Sequence, residues 1–131
     1  MKTNKLRLLS TVLPALLLLA ASMAVEAKPS NKWRLEFSGG ADSDGAIVFR
    51  ISPEGGAPIE ATVDITKGTS ENNVAKAVVK SLKAQLPKDG YHVERDDGED
   101  VLVKKRRGAA NFDVEIVANG VEGVRIKPER K

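Results

Sequence analysis

No cysteine occurs anywhere in the chain. That excludes disulfide staples, thiolate metal sites, a cysteine nucleophile and a cysteine-borne lipid anchor. Histidine is almost as scarce. His92 is the sole one, and a single imidazole without thiols does not make a structural zinc site. The aromatic residues are Trp33, Phe37, Phe49, Tyr91 and Phe112. Strand-like alternation points most of them inward, which leaves little for a stacking platform that reads sugars or bases.

The one long apolar run stands at the start. Lys2, Lys5 and Arg7 precede an apolar segment from Leu8 to Ala21, centred on Leu16-Leu17-Leu18-Leu19. Val25-Glu26-Ala27 supplies small residues where a signal peptidase cuts, and Ser22-Met23-Ala24 is an earlier choice. Ser10, Thr11 and Pro14 interrupt the run, which is short of the roughly 20 residues that a span needs. Residues 1–27 therefore read as a signal peptide and 28–131 as a single small domain with short flexible ends. The expected location is periplasmic or secreted, with no integral membrane span after the signal is removed.

The signal also carries most of the apparent basicity. Of 21 basic and 18 acidic residues, Lys2, Lys5, Arg7 and Glu26 fall within it, leaving eighteen against seventeen, a net +1. Overall charge thus gives no ground for nucleic-acid binding. A domain of this length without staples relies on its core, and the length suffices for one.

One helix stands out, from Thr69 to Leu86. Gly68 breaks the preceding segment, Thr69 or Ser70 is placed to cap the first turn, and Glu71 complements the helix dipole. Val74, Ala75, Val78, Val79, Leu82 and Leu86 recur at helical spacing as one apolar stripe, with Lys76, Lys80 and Lys83 on the other side. Pro87 ends it, and Gly90 follows in a turn.

Strands are expected on both sides. Trp33, Leu35 and Phe37 alternate with charged residues, and Ile47, Phe49 and Ile51 resume the alternation after a flexible loop from Gly39 to Gly45. Pairing Phe37 with Ile47, Leu35 with Phe49 and Trp33 with Ile51 keeps one face apolar. A turn from Pro53 to Pro58 leads to a third strand, Ile59 to Ile65. After the helix, a loop Asp96-Asp97-Gly98 pairs Val93 with Val101 and Tyr91 with Val103. A one-residue slip would mix the faces. A loop Ala118-Asn119-Gly120 pairs Val117 with Val121, Val114 with Val124 and Phe112 with Ile126, leaving Pro128 to Lys131 as a tail. The expected class is α+β: a single antiparallel sheet in the order β-β-β-α-β-β-β-β, covered by one amphipathic helix. Continuity, strand order and open edges stay undecided.

The stretch from Ile59 to Val117 resembles the small ββαββ domains of contractile-phage tail sheath and related tail proteins. The matching residues are Gly68-Thr69, Val74-Ala75, Val78-Val79, Val101-Leu102-Val103 and Gly108-Ala109-Ala110-Asn111-Phe112. The resemblance implies a fold and a part in an assembly. It transfers no site residue, and an export signal departs from such proteins.

Candidate chemistry is sparse. His92 shares a face with Glu94, Leu102 and Lys104, an arrangement that suits a general base, but no serine nearby stands in a nucleophile context. Asp42-x-Asp44-Gly45 fails the ligand pattern of a calcium-binding EF-hand, and the acidic turn Asp96 to Asp100 is either a weak calcium loop or a charged hairpin tip. Lys104, Lys105, Arg106 and Arg107 form the densest cationic cluster, and with Lys76, Lys80 and Lys83 they make a basic surface if both groups share one face. In a continued strand, Lys104 and Arg106 would point one way, Lys105 and Arg107 the other. No catalytic or metal-ligating residue and no cofactor is assigned. The leading expectation is a non-enzymatic exported module that engages another envelope or extracellular protein through a sheet edge or the lysine face. Second is a binder of an anionic envelope polymer, using the basic residues. An unrecognised hydrolase is third.

Overall fold

The structure, a computed structural model, describes residues 28–131. The signal peptide expected at 1–27 lies outside the described residues. The elements are β1 (Lys32–Ser38), β2 (Gly45–Pro53), β3 (Ile59–Ile65), α1 (Glu71–Gln85), β4 (Tyr91–Asp96), β5 (Asp100–Lys105), β6 (Phe112–Asn119) and β7 (Arg125–Arg130). The α+β class and the element order agree with the sequence pattern. The single sheet does not. The strands form two antiparallel sheets, one ordered β4-β5-β1-β7 and the other β3-β2-β6.

The physical reason lies in the helix's width. A helix is about 10 Å across and strands lie about 4.8 Å apart, so one helix covers roughly two strands. Seven strands with apolar faces must bury most of that surface against one another. Trp33, Leu35 and Phe37 from one sheet meet Ile47, Phe49 and Ile51 from the other in a common core. α1 closes the side where β3 and β4 stand apart, burying Val74, Ala75, Val78 and Leu82. No helix among the described residues is long and apolar enough to cross a membrane.

Two expected pairings are replaced. β1 pairs with β5 and β7, not with β2. The expected last hairpin is absent, because β6 joins β2 while β7, which includes most of the supposed tail, joins β1. A bulge between Val48 and Phe49 shifts the β2–β6 register, and Val117, expected inward, is exposed. β4 and β5 do form a hairpin, with Val93 opposite Val103 and Arg95 opposite Val101. That is a two-residue shift from the expected register. A shift of two preserves the faces, so the inward set is unchanged.

The loop from Gly39 to Gly45, expected to be flexible, is tied into the fold. Ala41 N donates to Thr69 O (2.8 Å), Gly68 N to Ala41 O (2.8 Å) and Asp42 N to Glu122 O (2.8 Å). Glu71 accepts from Gly39 N at 2.7 Å, so its carboxylate anchors this loop to the helix start. Ser70 is the N-cap residue but makes no side-chain cap, and the Thr69 hydroxyl donates to Thr66 O instead.

Candidate functional site

The first turn of the chain past β5 decides how the basic residues are arranged. β5 ends at Lys105, so strand alternation does not extend to Arg106 and Arg107. Ala109 N donates to Arg106 O (3.0 Å), closing a tight turn with Gly108 at φ 85°. Arg106 folds back over the start of β4, its N–H donating to Gly90 O (2.9 Å) and its Nε to Tyr91 O (3.1 Å). The guanidinium is thereby carried toward α1.

The lysines of α1 come to meet it. Lys76, Lys80 and Lys83 are exposed on the flank of the helix that faces β4, while Gln85 on the other flank reaches β3. Lys80, Lys83 and Arg106 line one depression of about 540 Å³, whose floor includes Leu82, Leu86, Tyr91 and Val93. A second depression of about 440 Å³ is shared by Lys76, Lys80, Lys83, Glu94 and Arg95. A third, of about 480 Å³, joins Lys104, Lys105, Arg106 and Arg107 with Lys32. Shared side chains make the three continuous along the seam between α1 and β4 and around the end of β5. Lys88, Lys32 and Arg95 were missed by sequence reasoning. Their one signal is charge, and nothing local distinguishes them from other surface lysines and arginines.

The cations differ in freedom. Lys104 is paired with Glu94 at 2.7 Å, and Lys105 Nζ donates to Ala109 O at 3.0 Å. Lys76, Lys80, Lys83, Lys88, Arg106 and Arg107 make no ion pair among the described residues. Cations held together without counter-charges produce a local positive potential that attracts anions. The seam presents donors on its rim and apolar carbon on its floor. Burial pushes the Tyr91 phenol up, so it too stays a donor near neutral pH.

His92 lies where expected, on the outer face, with Nε2 3.2 Å from Glu94 Oε2. Hydrogen bonds from Lys104 first and His92 second hold the Glu94 carboxyl below its ordinary range. That carboxylate is correspondingly a weak base. The acidic turn meets a guanidinium. Arg34 NH2 lies 3.1 Å from Asp96 and its NH1 3.7 Å from Asp100, so the cation between these carboxylates is supplied by the chain itself. Asp100 is the one buried charged residue of the core region. Burial raises its pKa, against the opposing pull of Arg34.

A pH dependence follows with a definite sign. A carboxyl raised on folding stabilises the fold below its unfolded pKa, about 4, and that contribution is lost as pH rises through the folded value. Asp100→Asn removes the titration. Its stability relative to wild type should therefore improve as pH rises from about 3 to about 7. Urea unfolding of both proteins across that range checks this, and a flat difference would mean that Asp100 is not desolvated.

Comparison of the chain with protein-family models and with curated proteins returns no match.

Proposed function

We propose that the protein is an exported, non-enzymatic binding module that takes an anionic partner into the trough between α1 and β4. One observation carries this reading: Lys80 and Lys83 of α1 and Arg106 beyond β5, far apart in sequence, line the same depression without ion-pair partners. The partner's side must be rich in acceptors, because the rim offers donors. The aromatic side chains are buried, so stacking does not contribute.

Binding of a fluorescent polyglutamate to the purified domain tests the reading. Affinity should fall steeply with ionic strength and at least tenfold, about 1.4 kcal/mol, when Lys80 and Lys83 are both changed to Glu. Lys67→Glu, an exposed lysine outside the trough, should change it less than twofold. Equal losses from the two would remove the trough from the explanation. Absence of binding at low salt would remove the anionic partner.

A further inference from the structure

Building on that anionic-partner reading, the hydrogen-bond pattern of the four-stranded sheet narrows the partner's chemistry. Phe37 N donates to Glu99 O and Lys105 N to Asn31 O. The odd residues of β5 thus bond to β1, and its even residues bond to β4, as Arg106 N to Gly90 O also shows. In an antiparallel pair, residues alternate between bonding the partner strand and facing away from it. His92, Glu94 and Asp96 therefore bond β5, while Tyr91, Val93 and Arg95 turn their N–H and C=O groups outward. Tyr91 has partners in Pro87 O and Arg106 Nε. The backbone groups of Val93 and Arg95 have none among the described residues.

Other edges of the two sheets carry devices against strand addition. The middle of β3 is sealed by Gln85, whose carboxamide accepts from Thr62 N (3.0 Å) and donates to Thr62 O (2.8 Å). On β7 the residues facing away from β1 include Pro128, which has no N–H to give. β6 is bridged by Ser30 at Phe112 and lies beside β7. β4 has no such device. Its open edge runs along the cationic trough, with Val93 and Arg95 lining the same depressions as Lys80 and Lys83.

We propose that the partner is an extended acidic polypeptide that adds as a strand to β4, bonding the main chain of Val93 and Arg95. Side chains of an added strand alternate between the two faces. Those on the helix side meet Lys76, Lys80, Lys83 and Arg95, so acidic residues are required at every second position. Those on the other side pass beside Glu94 and are uncharged. Backbone bonding supplies affinity, and the lysine row supplies the choice of sequence. A sulfated or phosphorylated polymer satisfies the lysines but has no amides for the strand edge.

The test uses the full domain and two probes, a capped peptide of alternating glutamate and threonine and dextran sulfate. Arg95→Pro removes an outward N–H without touching the β4–β5 ladder, and Arg95→Gln removes the same charge but keeps the N–H. The peptide should bind Arg95→Pro at least tenfold more weakly than Arg95→Gln, while dextran sulfate binds the two alike. In the wild-type protein, the peptide should shift and protect the amide signals of Val93 and Arg95, and dextran sulfate should leave them unprotected. This second measurement stands even where the proline variant is poorly folded. Equal peptide affinities for the two variants, or unprotected amides with bound peptide, overturn the added strand. If dextran sulfate binding still depends on Lys80 and Lys83, the anionic-partner reading survives that outcome. If neither probe binds, both readings fall.

Discussion

Leu82→Asp is expected to leave the domain unfolded at neutral pH. Leu82 is 1% exposed, at the centre of the stripe that α1 lays against the core. Truncating a buried leucine alone costs about 2–5 kcal/mol. A carboxylate in its place has no cation inside the core, and an unpaired buried charge adds several kcal/mol. A domain of this size has about 5–15 kcal/mol in all. Lys80→Asp, on the exposed flank of the same helix, should cost less than about 1 kcal/mol. Far-UV circular dichroism and urea unfolding separate the two. A native-like spectrum with a wild-type midpoint for Leu82→Asp would mean that α1 does not close the core.

The second large effect is expected at Gly39, in the loop after β1. Its φ is 85°, and a Cβ there would collide with the carbonyl oxygen of Gly123. A left-handed alanine by itself costs about 1–2 kcal/mol. Moving a backbone carbonyl costs more, because the Asp42–Glu122 and Glu122–Ser43 hydrogen bonds hold the two loops together. Gly39→Ala should therefore lose about 3 kcal/mol or more, which lowers Tm by at least about 12 °C in a domain of this size. Gly108 is the natural control. Its φ is also 85°, but nothing lies within 4 Å of an added Cβ. Gly108→Ala should cost only the backbone term, about 1–2 kcal/mol. Equal melting temperatures for the two variants would contradict the close contact between the loops.

Some of this architecture is legible in local pattern, and some is not. The helix shows because its signals agree over many residues: a breaker before it, an apolar stripe through it and Pro87 after it. The inward set of β4 and β5 shows because alternation survives a shift of two residues. The pairing of β1 does not show. Trp33, Leu35 and Phe37 suit any apolar neighbour, and pairing them with β2 satisfies the alternation as well as pairing them with β5 and β7. Local pattern also hid the Gly39 to Gly45 loop. Its glycines look like slack in the sequence, yet they are there to let two backbones touch. The seven cations at Lys76, Lys80, Lys83 and Lys104 to Arg107 are visible as charges. Their meeting is not, because it depends on where β5 stops and on which flank of α1 faces β4.

Composition and periodicity alone establish an α+β chain without thiol chemistry, with a core-facing helix and a nearly balanced charge after its apolar N-terminus. These are properties of single residues and their spacing, and any fold of the chain must respect them. The division into two sheets, the sealing of β3 by Gln85 and the open β4 edge under a row of lysines are tertiary outcomes. They arise because one helix is too narrow to cover seven strands. The strands then cover each other, and the helix is left to span the gap between β3 and β4, with its cationic flank along an unpaired edge.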